Sequence, residues 1–165
     1  MQGMRRIPGF PYTPAMNKAF VKEAQDETAP KCPHCHAIGQ PVGPQTLAAQ
    51  LPPEAARPLA ITSTNFCPNP TCDVGYFDAN EQTAPASLLR RPTWPKADDP
   101  AAILCPCLEL TAADLINDAR RADPTRVRAL LARSQANPHD CVAATPNARP
   151  CAAEAQRLYL KNLAK

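Results

Sequence analysis

The chain has 165 residues, with 18 Lys and Arg against 15 Asp and Glu, for a net charge of +3. That small, scattered excess argues against a nucleic-acid surface, and no apolar run approaches the ~20 residues needed to cross a bilayer. Twenty-one prolines against 5 glycines, with only 5% aromatic residues, predict short elements joined by extended connections around a thin core, to whose folding bound metal contributes.

Residues 1–31 contain no cysteine and read as an N-terminal extension. Arg5 and Arg6 are followed by Pro8, Pro11 and Pro14 with no apolar stretch, so no secretory signal is expected and the chain is assigned to the cytoplasm. In a reducing compartment its 8 cysteines imply metal or redox chemistry and not a disulfide framework. Residues 15–24 predict a short helix with Met16, Ala19, Phe20 and Ala24 on one face, either a strap over the domain or a docking arm. Met1, Met4 and Met16 form no soft-metal motif.

Cys32-Pro-His-Cys35 is answered by Phe66-Cys67-Pro-Asn-Pro-Thr-Cys72. Paired knuckles of this size are how four thiolates surround one Zn²⁺ at ~2.3 Å. Leu59, Ile61 and Ser63 alternate before the second knuckle, and Val74 and Tyr76 after it, which predicts strands with residues 67–72 capping a hairpin. His34 and His36 are competing ligands, although four thiols already close a structural site. Residues 32–80 are therefore expected to form a zinc-bound, β-rich half.

Residues 81–100, with Pro85, Pro92, Pro95 and Pro100, read as a linker. Arg90, Arg91, Trp94 and Lys96 form a basic patch with one aromatic. Trp94 is expected to pin the linker onto a domain surface, the alternative being a dock for a redox partner.

Residues 101–165 predict a helical half around a second cysteine set. Cys105 and Cys107 are too close to bond each other without severe strain, because a disulfide needs Cα atoms about 4.4–6.8 Å apart and a particular dihedral. Zinc pairs enclose about two to four residues. One residue between Cys105 and Cys107, and nine between Cys141 and Cys151, fit that poorly, whereas an iron–sulfur cluster held by four thiolates tolerates uneven spacing.

Thr111 with Asp114 predicts a helix N-terminus followed by the stripe Ala112, Leu115, Ile116, Ala119. Asp123-Pro124-Thr125 restarts the chain, with Val127, Leu130, Leu131 and Ser134 inward and Asn137-Pro138 ending the helix. Pro150 and Cys151 are expected at the first two positions of a last helix striped by Ala155, Leu158, Tyr159 and Leu163. Two helix N-termini would then face the cage, their partial positive charge suiting an anionic, thiolate-ligated group.

The run Cys105-Pro-Cys107-Leu-Glu-Leu-Thr111, with two helices and a further cysteine pair, resembles the [2Fe–2S] fold of bacterioferritin-associated ferredoxins, whose second pair is close-set. The wide Cys141–Cys151 spacing instead resembles the N-terminal domain of CopZ-type copper chaperones. That domain is similar in its first Cys-x-x-Cys, its Phe-Cys-x4-Cys followed by a Val-x-Tyr-Phe strand, its Cys-x-Cys and its last Cys-Val-x-x-Thr-Pro, a correspondence over residues 32 to about 160. The resemblance implies that Cys32, Cys35, Cys67 and Cys72 bind zinc while Cys105, Cys107, Cys141 and Cys151 bind a [2Fe–2S] cluster. Such chaperones continue into a heavy-metal-associated domain, which this chain, with all eight cysteines assigned, is expected to lack.

The expectation is an α+β protein that carries one electron at a time, or acts as a metallochaperone, in heavy-metal handling, copper being suggested by the resemblance. Its partner would be a redox protein or a copper-handling protein. The rival classes are a ferredoxin-like electron-transfer subunit of a larger enzyme and a structural metal-binding interaction module. His34 and His36 lie in a knuckle and His139 stands alone, so no nucleophile–base constellation is evident and the chain is not expected to be an enzyme.

Overall fold

The computed structural model describes residues 29–94, 96, 97, 99–137, 141 and 143–163. The predicted helix at 15–24, Met1, Met4, Met16 and His139 lie outside them. The chain is α+β: a four-stranded antiparallel sheet in its first part, and a two-stranded hairpin with helices in its second.

The sheet runs β1 (Gln40–Pro41), β2 (Asn65–Phe66), β3 (Val74–Phe77) and β4 (Thr83–Pro85), in that order. Phe66 stands opposite both Gln40 and Tyr76, and Asn65 opposite both Pro41 and Phe77, so the second knuckle caps the β2–β3 hairpin as its flanking pattern predicts. β3 is buried along its whole length. Simple alternation would put Val74 and Tyr76 on one face. A register shift between them re-aims the strand: Tyr76 joins Leu47, Leu51, Leu59 and Phe66, while Val74 joins Phe77 and the cysteines. A Cβ at Gly39 would come 2.6 Å from Phe77 Cζ and 2.7 Å from Asn65 Cβ, so only glycine lets the first knuckle lie this close to the sheet.

Two helices connect β1 to β2, α1 (Pro44–Gln50) and α2 (Pro53–Ala56), each opened by a proline in its first turn. The strand predicted through Leu59, Ile61 and Ser63 does not form; Ile61–Ser63 is a single 3-10 turn. Side chains take the backbone bonds a strand would need. The Asp78 carboxylate accepts from the Ala60 amide at 2.7 Å, and the Thr64 hydroxyl donates to the Ala60 carbonyl at 2.8 Å.

Residues 81–100, predicted as a linker, are built into both parts. They supply β4 to the sheet, and Trp94 packs on the helical core, as its pinning role predicts. Two cations of the basic patch serve structure: Arg90 Nε donates to the Leu51 carbonyl at 3.2 Å, and Lys96 turns back onto the second knuckle.

The second part begins with the hairpin β5 (Ile103–Cys105) and β6 (Leu110–Thr111). α3 (Ala112–Arg120), α4 (Thr125–Ala136) and α5 (Ala152–Asn162) follow. The Thr111 hydroxyl accepts from the Asp114 amide at 3.1 Å and the Asp114 carboxylate accepts from the Thr111 amide at 3.0 Å, the reciprocal cap the sequence predicts. Leu104, Leu115, Ala119, Val127, Leu130, Ala155, Leu158 and Tyr159 form the core. Ile116 and Leu131 are partly buried against it. Leu163 departs from its predicted stripe, because α5 ends at Asn162 and leaves it exposed. Among the described residues, no helix is long and apolar enough to cross a membrane.

Two candidate metal centres

The first centre draws two thiols from the turn after Lys31 and two from the loop between β2 and β3. In the first turn the Cys32 amide donates to the Ala37 carbonyl and the His36 amide to the Cys32 carbonyl, both at 2.9 Å. His36 takes a positive φ of 58° to close it, a conformation His tolerates better than branched residues. In the second loop the Cys67 amide donates to the Gly75 carbonyl at 3.0 Å, and the Asn69 side chain accepts from the Thr71 amide and hydroxyl at 3.0 and 2.9 Å.

These turns bring the Sγ atoms of Cys32, Cys35, Cys67 and Cys72 all within 4.8 Å of one another. Cys32 and Cys72 are 4.0 Å apart and Cys35 and Cys67 3.5 Å apart. Tetrahedral thiolates on zinc at ~2.3 Å stand ~3.8 Å from each other, so the donor set fits a closed zinc site. His34 and His36 are not in this group; His34 Nδ1 instead faces Asp73 Oδ1 at 3.3 Å. Burial acts to raise the Cys35 thiol, but hydrogen bonds from the Ala37 amide, Cys67, Asn69 and Cys72 bring it down to about 6. Burial pushes Cys67 up to about 12 and raises Cys72 as well.

The second set comes from the β5–β6 hairpin and from both ends of the 141–151 segment. Cys105 ends β5, Cys107 lies in the turn before β6, and Cys151 is the residue from which α5 starts. The last helix therefore begins two residues later than predicted, at Ala152. Cys105, Cys141 and Cys151 are buried, and Cys107 is partly exposed. The Cys151 thiol hydrogen-bonds Cys105 and, with the Leu108 and Cys107 amides and the Arg133 charge, holds it down at about 6. The same bond, with burial, holds Cys151 far above the ordinary thiol range. Cys141 is raised by burial and then by its neighbour Cys107, to which it hydrogen-bonds. Cys105 thus stands against Cys151 and Cys107 against Cys141, but the four sulfurs of this set do not all lie within 4.8 Å of one another as those of the first set do.

The helix-terminus expectation needs correction at α3. Its first amides are taken by the protein: Ala112 donates to the Ala102 carbonyl, Ala113 to the Pro100 carbonyl and Asp114 to Thr111. The N-terminus of α5 lies at a thiol of the set, Cys151 being its N-cap.

Three side chains hold the 141–151 segment, a role that sequence reasoning gave to none of them. The Thr145 hydroxyl bridges the Cys141 and Arg149 carbonyls at 2.8 and 2.7 Å. Gln50 Nε2 donates to the Ala144 carbonyl at 2.8 Å, and the Tyr76 hydroxyl donates to the Pro146 carbonyl at 2.6 Å. A tyrosine in a buried strand must find a partner for its hydroxyl; that was the available signal. Ala144 and Pro146 therefore tie this segment to α1 and β3 in the first part of the chain.

With both geometries in view, residues 29–89 match the family model described as a zinc binding domain of the CopZ type. The fold as a whole is similar to the X-ray structure of the Archaeoglobus fulgidus CopZ N-terminal domain, with a TM-score of 0.62 and 21% identity over 78% of this chain and 97% of that one. That likeness takes in more of the chain than residues 29–89, so the shared fold extends past the stretch the family model matches. No curated protein matches the sequence.

Proposed function

We propose that the chain is a zinc- and [2Fe–2S]-containing, metallochaperone-like one-electron carrier in heavy-metal handling, with copper as the metal it handles. The observation that carries the proposal is the presence of two separate thiol sets in one fold, the second reached by uneven Cys-x-Cys and wide Cys141–Cys151 spacing. Cys32, Cys35, Cys67 and Cys72 would hold zinc as a structural ion. Cys105, Cys107, Cys141 and Cys151 would hold the cluster, and their donor chemistry fits, because four thiolates are what such a cluster requires. A bound [2Fe–2S] group takes up and releases one electron at a time.

The chain's own residues set the conditions. Burial of Cys105, Cys141 and Cys151 keeps water from three of the sulfurs, which leaves partly exposed Cys107 as the ligand nearest a partner. The Arg133 charge favours the thiolate forms of Cys105 and Cys141. Copper enters as substrate, since soft-ligand carriers require Cu⁺ and the CopZ resemblance points to that metal. The partner would be a redox protein or a copper-handling protein, and turnover beyond stoichiometric metal reduction is not part of the proposal.

The test is to purify the protein anaerobically, reduce it, and titrate it with Cu²⁺ in the presence of a Cu⁺-specific chromophoric chelator. Roughly one Cu²⁺ reduced per cluster, with matching re-oxidation, is the expected result. Re-oxidation by ferredoxin acceptors but not by Cu²⁺ would leave a ferredoxin-like electron-transfer subunit. Zinc in both sets, with no visible absorption, would leave a structural metal-binding module.

A further inference from the structure

We propose that Lys96 is a positioning residue of the zinc cage, presented to it by the segment that joins the two parts of the chain. Its ammonium donates to the carbonyl oxygens of Asn69 at 2.7 Å, Cys72 at 2.9 Å and Val74 at 2.7 Å. A lysine has three N–H donors, and here all three are spent on one short loop. Carbonyl oxygens gathered around one point repel each other unless a cation sits between them, so the loop that carries Cys72 is shaped around this side chain.

The rest of the side chain works on the other half of the same knuckle. Nζ lies 5.8 Å from the centroid of the Phe66 ring, within cation–π range, and Phe66 immediately precedes Cys67. Four thiolates around a dication leave two negative charges on the cage, and the Lys96 charge, bonded to the Cys72 carbonyl, offsets part of them. Partners of this outer kind tune metal affinity by about 10- to 100-fold.

Lys96 is itself held from the other side. Two residues before it Trp94 packs on the helical core, the Trp94 amide donates to the Ile103 carbonyl at 3.0 Å, and the Ala97 amide donates to the Thr93 carbonyl at 3.1 Å. Retention of zinc in the first part thus depends on a residue anchored by the second. This inference rests on the zinc cage alone and stands whether or not the second set holds a cluster.

The experiment compares full-length, zinc-loaded protein with Lys96→Met, which keeps the stem beside Phe66 and removes the three donors. Zinc transfer to a chromophoric chelator is followed together with urea unfolding and amide hydrogen exchange. The expected result is transfer faster by about tenfold or more, with exchange raised in residues 67–75 and unchanged in α3 and α5. A lysine with only a general structural role would instead raise exchange in both parts and speed transfer only as far as global unfolding does. That outcome, or transfer within about twofold of the parent protein, overturns the proposal. If Lys96→Met does not fold with zinc, Lys96→Gln is judged by the same criteria, and failure of both to fold would assign the residue to general stability.

Discussion

The Tyr76 hydroxyl and the Pro146 carbonyl oxygen are 2.6 Å apart across a sequence separation of 70 residues. Tyr76 is fully buried in β3, and Pro146 lies between the two cysteines of the wide pair. The bond ties the sheet to the segment between Cys141 and Cys151.

Tyr76→Phe keeps the ring against Phe66 and removes only this bond. It leaves the buried Pro146 carbonyl unpaired, at an expected cost of about 1–2 kcal/mol. Urea unfolding reads the stability change. Hydrogen exchange should rise in residues 143–149 while the β2–β3 hairpin stays protected, and an unchanged midpoint would show that the tie contributes nothing.

The partition of the cysteines is open to direct analysis. Cys105→Ser or Cys141→Ser is expected to abolish visible absorption and iron binding while one zinc per chain remains. Cys67→Ser should lose zinc and open the sheet part to protease, because binding there is linked to folding. Zinc loss with iron retained in the Cys105→Ser protein would reverse the assignment.

Asp114 gives a pH dependence with a definite sign. The Thr111 amide, outweighing partial burial, and then the Thr111 hydroxyl and Arg126 hold its carboxyl below the ordinary range. A depressed folded-state value contributes stability that is present above the unfolded value near ~3.9 and is lost as pH falls through the lower folded one. Asp114→Asn should therefore cost about 1 kcal/mol at neutral pH, mostly through the cap, since the exposed Arg126 pair adds little. The two proteins should converge once the pH falls below the lowered folded-state value and the carboxyl is protonated in both states. Urea midpoints compared at each pH test this, and a gap that persists in acid would contradict it.

What was legible in the sequence was what is local. Thr111 and Asp114 specify their helix start because cap and partner are three residues apart, and the stripes of α3 and α4 follow from spacing alone. The knuckle spacing likewise shows in advance how Cys32, Cys35, Cys67 and Cys72 can meet. β4 was not legible, because Thr83-Ala84-Pro85 is too short to show a period, and its partner β3 is what makes it a strand. The segment at 59–63 misled because Asp78 and Thr64 claim its backbone groups from a distance. Lys96 and Tyr76 act across the fold, on carbonyl oxygens that carry no sequence signal.

Both outer strands of the sheet end in proline: β1 is Gln40-Pro41 and β4 finishes on Pro85. A proline has no amide hydrogen to offer an incoming strand. Each edge is also only two or three residues long, so a second chain finds little ladder to extend. A sheet whose order leans on metal risks joining its neighbours whenever the ion departs. Here the edges themselves discourage strand-to-strand association between one sheet and the next.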